Sequence, residues 1–307
     1  MAETDSLAAL YKQARDRGAL LDLGDRAQFR LTGADRIRYL NGQVTNDIRR
    51  VRADAAVPAC VTTARGKLSG IIYVSAGPDF LRIDTEPSLR EPLAARLARY
   101  IIADDAELED TTGQECLFHV VPALSFAGCH GAELRAAERF GADGIDIIAP
   151  ASERERLLTH LSASHVLLPP ALAESLRIEA GIPAWGAELD EDTLPPEAGL
   201  DKTAIDYHKG CYIGQEVISR IKSVGHVNRH LTGFAAPEPL AAGMTLHPDE
   251  EPGTTAGEIT SAAWSFGLES WAALGYLKRA FTAAAIHARF PDGATVAVRT
   301  RVLPLVP

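Results

Sequence analysis

Glycines at short intervals divide the last quarter of the chain, and this spacing restricts the fold more than any other feature of the sequence. Short apolar runs lie between them from residue 231 to the end. The glycines are Gly233, Gly243, Gly253, Gly257, Gly267, Gly275 and Gly293. Because such runs are short and bounded by turn residues, they are typical of strands. We therefore predict a small all-β domain, closed as a barrel, over residues 229–307.

Strand-like and helix-like patterns are interspersed in the preceding residues, which indicates an α+β fold. We predict one α+β domain over residues 1–114 and a second over residues 115–228, and the two could exchange segments. A helix should begin after Asp35, whose side chain should cap it. Further helices are expected over residues 6–17, 87–103, 132–140, 153–161 and 171–180.

The run HKGCYIGQE, from His208 to Glu216, is the strongest candidate for a functional segment. Gly210 and Gly214 should allow backbone angles closed to other residues, and a helix should begin near Gly214. Cys211 would then lie just before a helix N-terminus and beside Lys209, and both features favour a thiolate. The alternative is an inert buried thiol, because free cysteine is among the most buried residue types.

Three further groups are candidates for binding. The run LNGQVTNDI, residues 40–48, holds a dense polar cluster that could line a site for a polar heterocycle or could be a solvated loop. Its candidate ligand-binding side chains are Asn41, Gln43, Thr45 and Asn46. Glu179 follows a helical pattern and could equally be a surface carboxylate. Arg220 belongs to a basic group that could hold an acidic ligand tail or could be a solvated face.

Composition excludes several classes of protein. The net charge of −10 provides no broad basic field for nucleic acid or anionic membrane. The four cysteines form no CxxC pair, and the histidines show no HExxH spacing, so we expect no metal site. No apolar run is as long as a membrane span, and no leader sequence is evident at the N-terminus, so a cytoplasmic protein is expected. The usual dinucleotide, P-loop and hydrolase motifs are absent.

Several segments resemble the YgfZ family of folate-binding proteins, which belongs to the wider superfamily of the glycine cleavage T-protein, an aminomethyltransferase. The run KGCYIGQE looks like the signature of that family. Further similarity lies in LNGQVTNDI (40–48), ARGKLSG (64–70), RIEAGIPAWGAELD (177–190), PPEAGL (195–200) and GEITS…ALGYLKR (257–279). The resemblance spans nearly the whole chain and is weakest over residues 115–170.

The resemblance implies two α+β domains and a C-terminal barrel around a central channel that binds tetrahydrofolate or a one-carbon derivative. It implies that Glu179 accepts hydrogen bonds from the pterin ring and that Cys211 is the functional thiol. Lys209, from its position in the sequence beside Cys211, is a candidate stabiliser of the thiolate. It also implies a role in the assembly or repair of iron–sulfur enzymes, with those enzymes or assembly proteins as partners. We expect a monomer that binds neither nucleic acid nor membrane.

One departure from the aminomethyltransferase pattern bears on enzymatic activity. Those enzymes carry an acidic pair in a GGxxDD-like run, whereas the corresponding run GKLSGII, residues 66–72, holds no carboxylate. A general base is therefore missing where that chemistry needs one. The hypotheses are a folate-binding accessory protein, a folate-dependent aminomethyl or methyl transferase or demethylase, and a non-catalytic scaffold.

Overall fold

The computed structural model describes residues 2–122, 131–141, 143–251, 253–283 and 285–306, with side chains from residue 5 onward. Cys129 lies outside these ranges. The helices are α1 (Ala2–Arg17), α2 (Arg36–Gln43), α3 (Arg90–Ala98), α4 (Arg154–Ser162), α5 (Pro170–Ala180) and α6 (Gln215–Ser223). Within the described ranges, every helix is too short or too polar to cross a lipid bilayer.

Sixteen strands accompany these helices in the described ranges. They are β1 (Ala19–Asp22), β2 (Ala27–Thr32), β3 (Val57–Thr62), β4 (Leu68–Ala76), β5 (Leu81–Thr85), β6 (Glu107–Asp110), β7 (Glu115–Val121), β8 (Glu133–Ala136), β9 (Ile145–Pro150), β10 (Val166–Leu167), β11 (Arg229–Ala236), β12 (Thr245–Pro248), β13 (Gly257–Ser265), β14 (Ser270–Lys278), β15 (Ile286–Arg289) and β16 (Thr295–Arg301). They form one sheet in the order β3-β4-β5-β2-β6, a second in the order β10-β1-β7-β9-β8, and a closed barrel in the order β11-β14-β13-β12-β15-β16. The predicted mixture of helices and sheets with a C-terminal barrel is confirmed.

Some of the glycines that led to the barrel prediction act inside strands rather than at turns. A Cβ at Gly257 would lie 2.0 Å from the carbonyl oxygen of Tyr276, and one at Gly275 would lie 2.3 Å from that of Glu258. Both distances are far below van der Waals contact. These glycines therefore let β13 and β14 approach each other closely.

The chain folds into two compact units. The first unit holds residues 1–11, 169–199 and 221–307, and the second holds residues 12–168 and 200–220. In the first unit, α5 packs against β13 and β14, where Ile178 lies in one apolar cluster with Ala272, Leu274 and Leu305.

The second unit contains both open sheets. In one of them, β7 and β9 pack against α4, with a core that includes Phe118, Ile147 and Leu157. In the other, Leu93 of α3 is fully buried and packs near Gly70 of β4. The unit therefore has apolar packing on each sheet.

The prediction of a helix over residues 132–140 is wrong. Residues 133–136 form β8, which pairs antiparallel with β9. The sequence there has good helix formers, but Arg135 and Arg139 are buried and bonded to polar groups of neighbouring strands. Tertiary pairing therefore overrides the local helix propensity.

Asp35 also behaves differently from the prediction. It precedes α2 as expected, but its side chain makes no capping hydrogen bond to that helix. The carboxylate instead accepts hydrogen bonds from the backbone N–H of Asp105 and from Arg38. It therefore fastens the loop before β6 rather than the helix N-terminus.

Candidate functional site

The ammonium group of Lys209 is enclosed by backbone carbonyls at the C-terminal end of α2. Its Nζ donates to the carbonyl oxygens of Asn41 and Val44, both at 2.6 Å, and of Asn46 at 2.8 Å. Carbonyls at a helix C-terminus lack helical partners and carry partial negative charge. Lys209, only 5% exposed, therefore caps α2 from a distant part of the chain.

This geometry bears on the proposed stabilisation of a thiolate. An ammonium group has three N–H donors, and the three carbonyls account for all of them. Burial lowers the pKa of Lys209 to about 8, whereas the carbonyls favour the charged form. Any effect of Lys209 on Cys211 would thus act through its field and not through a direct hydrogen bond, and that role stays a prediction.

The polar cluster of residues 41–46 binds the chain's own groups. Thr45, fully buried, donates from Oγ1 to the carbonyl oxygen of Ala204 at 2.6 Å and accepts from the N–H of Cys60. Asn46 donates to the carbonyl oxygens of Pro58 and Thr203. These bonds fix the segment that leads into the Cys211 motif.

The other two polar side chains of this cluster are also engaged. Asn41 accepts a hydrogen bond from the N–H of Ile48, and Gln43 accepts one from Arg96. The cluster thus has a clear structural role. Contact of its side chains with a ligand stays a prediction.

The turn at residues 63–67 packs directly beneath the Cys211 motif. Gly214 has φ of +89°, and a Cβ there would lie 2.5 Å from the carbonyl oxygen of Thr63. Thr62 donates from its hydroxyl to the carbonyl oxygen of Ile213. The expectation of unusual backbone angles holds for Gly214 but is wrong for Gly210, whose φ is not positive. A Cβ added at Gly210 would have nothing within 4 Å.

The three segments singled out in the sequence, residues 40–48, 64–70 and 208–216, therefore meet in the second unit. The buried side chains of Ile205, Tyr212 and Ile218 form an apolar cluster beside them. Helix α6 begins at Gln215, as predicted.

Cys211 lies exposed in this junction, whereas Cys60 and Cys116 are buried. Burial raises the pKa of Cys60 to about 12, so that thiol is inert at neutral pH. Cys211 is therefore not the buried thiol of the alternative interpretation, and its reactivity stays a prediction. Arg220 is also exposed and belongs to the same unit.

Glu179 belongs to the first unit, near the end of α5. Its carboxylate is buried, and three protein donors contact it. Oε2 accepts from the hydroxyl of Tyr11 at 2.7 Å, and Oε1 accepts from the hydroxyl of Ser265 at 2.6 Å and from the N–H of Gly267 at 3.2 Å. The alternative of a surface carboxylate is therefore wrong.

A second buried carboxylate in the same unit, Glu188, was missed by the sequence reasoning. It accepts from Thr260 and Ser261 on one oxygen and from Arg177 and the N–H of Ala184 on the other. Since four donors saturate the group, it fastens the 182–190 segment to β13. Its place in RIEAGIPAWGAELD, close to Glu179, is the one sequence signal that points to it.

A buried charged network joins the two sheets of the second unit. Arg139 bonds Asp84 of β5 at 2.6 Å and Asp146 of β9 at 2.7 Å, and His119 bonds Asp146 at 2.9 Å. Burial by itself would raise the pKa of Asp146, but Arg139 and His119 lower it to about 2. The nearby cavity is lined by three arginines and three carboxylates, so its charges balance internally, as expected of a cross-link.

Within the described part of the chain, no three His, Cys, Asp or Glu side chains are grouped so that they could hold a metal ion.

Comparisons with known proteins agree with the resemblance seen in the sequence. No family model matches the chain. It is 28% identical over 337 residues to the mitochondrial aminomethyltransferase of Gallus gallus, covering 96% of this chain and 81% of the relative. It is 29% identical over 243 residues to the tRNA-modifying protein YgfZ of an Escherichia coli O157:H7 strain, covering 72% of this chain and 74% of the relative.

A crystal structure of the glycine cleavage system aminomethyltransferase T from Bartonella henselae matches with a TM-score of 0.85 and 16% identity. The match covers 98% of this chain and 89% of that protein, and it shows a shared fold. The chain is thus similar in sequence to a YgfZ protein and to an aminomethyltransferase, and it shares the fold of the solved aminomethyltransferase T.

Proposed function

We propose that the protein binds tetrahydrofolate, or a one-carbon derivative of it, and supports the assembly or repair of iron–sulfur enzymes through the thiol of Cys211. The observation that carries the proposal is the exposed Cys211 within a segment similar to the YgfZ signature. The chain-wide similarity to YgfZ and to an aminomethyltransferase supports it.

Glu179 is the residue that we propose for folate recognition. A pterin ring presents an amino group and a ring N–H as hydrogen-bond donors, and an ionised carboxylate is an acceptor with two oxygens. The carboxylate of Glu179 fits this chemistry. Its burial would strengthen the charge-assisted hydrogen bonds by excluding water.

The proposed part of Cys211 is transient. Iron–sulfur clusters in proteins are generally held by several cysteine ligands, and the other two cysteines that the structure describes, Cys60 and Cys116, are buried away from solvent. Cys211 would therefore contact a cluster or a thiol that a partner protein also holds.

Folate binding is tested by titration against tryptophan fluorescence. The three tryptophans, Trp185, Trp264 and Trp271, all belong to the same unit as Glu179. Glu179→Gln should weaken binding about tenfold or more, because it removes the charge that strengthens the hydrogen bonds. The exposed Glu191→Gln is the matched control and should bind normally. An absence of binding at millimolar tetrahydrofolate would overturn the folate part of the proposal.

The thiol is tested separately in cells that lack their own copy of the protein. Wild-type protein should restore the activities of iron–sulfur enzymes, and Cys211→Ala should not. Cys116→Ala removes a buried thiol and should still restore them. Full rescue by Cys211→Ala would exclude the proposed role of this thiol.

A second candidate function is aminomethyl or methyl transfer to or from folate. The observation that favours it is the similarity to an aminomethyltransferase over 96% of the chain. The run of residues 66–72 offers no carboxylate for it, and the space beside Gly70 is filled by Leu89 and Leu93. Turnover of an aminomethyl or methyl donor by the wild-type protein with tetrahydrofolate would support this candidate, and binding without turnover would support the accessory role.

A further inference from the structure

The two oxygens of the Glu179 carboxylate are held by different parts of the first unit. Oε1 is bound by Ser265 and Gly267 at the hairpin between β13 and β14. Oε2 is bound by Tyr11 of α1. Glu179 as a whole is only 2% exposed, so a ligand reaches its carboxylate only if one of these neighbours moves.

The hairpin side is firmly built. Ser265 is fully buried at the end of β13, and its hydroxyl also accepts a hydrogen bond from the N–H of Leu268 at 3.0 Å. Moving it would break strand pairing as well as two hydrogen bonds. The hydrogen bonds from Ser265 and Gly267 to Oε1 are therefore kept when a ligand binds.

The N-terminal part of α1, which carries Tyr11, is much less buried than Ser265 in the hairpin. Residues 5–13 of α1 are exposed or half-buried, and Ala14 is the first buried residue among the described side chains of this helix. A segment with so little buried apolar surface opens locally at low free-energy cost. The neighbour that moves is therefore the N-terminal part of α1.

The tyrosine hydroxyl is closely fitted where it lies. A Cβ at Gly267 would lie 2.7 Å from the Tyr11 hydroxyl, and the Tyr11 ring packs on Phe266 with centroids 5.5 Å apart. Only a residue without a side chain at position 267 leaves room for this contact. The hydroxyl thus takes the place on Oε2 that an incoming N–H donor would need.

We propose that the N-terminal part of α1 is a lid over Glu179, held shut by the hydrogen bond from Tyr11, and that a pterin opens it by replacing that donor. This inference rests on the proposed folate binding and adds its regulation. The ligand chemistry is a heterocycle with neighbouring amino and ring N–H donors. Closing the lid satisfies the buried carboxylate when no ligand is bound.

The test compares tetrahydrofolate affinity among full-length variants. Tyr11→Phe keeps the ring against Phe266 but removes the competing donor, so it should tighten binding about tenfold. Ser265→Ala removes a donor that stays on Oε1 in both states, so it should not tighten binding. The exposed Tyr100→Phe, in the second unit, should bind like wild type.

Hydrogen exchange provides a second measurement. If Tyr11 had only a structural role, bound ligand would not change the exchange rates of the amides near it. Bound tetrahydrofolate should speed exchange of the amides of residues 5–13 in the wild-type protein while it protects α5. Equal or weaker binding by Tyr11→Phe, or slower exchange in residues 5–13, overturns the lid and leaves folate binding intact. If neither wild type nor Tyr11→Phe binds, the folate proposal fails, and the lid fails with it.

Discussion

Replacing Gly214 by alanine should destabilise the second unit, whereas the same replacement at Gly210 should not. Gly214 has φ of +89°, where an L-residue pays about 1–2 kcal/mol. The new Cβ would also lie 2.5 Å from the carbonyl oxygen of Thr63 and 2.9 Å from the hydroxyl oxygen of Thr62. Relieving such overlap in a packed region costs about 1–3 kcal/mol.

The two effects together give an expected loss of about 2–5 kcal/mol in the free energy of unfolding. Gly210→Ala meets nothing within 4 Å and should change stability by about 0.5 kcal/mol or less. Urea unfolding followed by far-UV circular dichroism measures both variants, because all three tryptophans lie in the other unit. Equal stabilities of the two variants would refute the close approach of the motif to the turn at residues 63–67.

Two further predictions concern buried titratable groups. Lys209→Met leaves three carbonyls without their donor and should lower the free energy of unfolding by about 3 kcal/mol. Urea unfolding measures this loss. The control Lys202→Met, at an exposed position, should leave the free energy of unfolding almost unchanged. Burial lowers the pKa of His119 below its unfolded value of 6.5, so below pH 6.5 the unfolded state binds the extra proton and stability falls. Melting temperatures measured from pH 7 to pH 5 should therefore fall less steeply for His119→Asn than for wild type, whereas the exposed His160→Asn should match wild type.

Much of the fold was predictable because its signals are local. The barrel follows from short apolar runs between glycines, and α5 and α6 follow from apolar periodicity near the glycines that bound them. The failure at residues 132–140 has a different cause. There the decisive interactions are strand pairing with β9 and ion pairs to Asp84 and Asp146, which lie elsewhere in the sequence.

The site shows the same division between local and distant information. The Cys211 motif could be found in the sequence because its composition is unusual. The exposure of Cys211 agrees with a reactive role. The helix-capping role of Lys209 could not be predicted from the sequence, because its three acceptors are backbone carbonyls more than 160 residues away. Backbone acceptors leave no trace in side-chain identity, so no motif could indicate them.

The interlaced path of the chain sets an order for folding during synthesis. The second unit is complete in sequence at residue 220, so the Cys211 segment can settle against residues 40–48 while the barrel is still being made. The first unit needs the last residues, since the N–H groups of Leu305 and Val306 bond the carbonyl oxygen of Glu179. A nascent chain can therefore form the surroundings of Cys211 before the surroundings of Glu179 are complete.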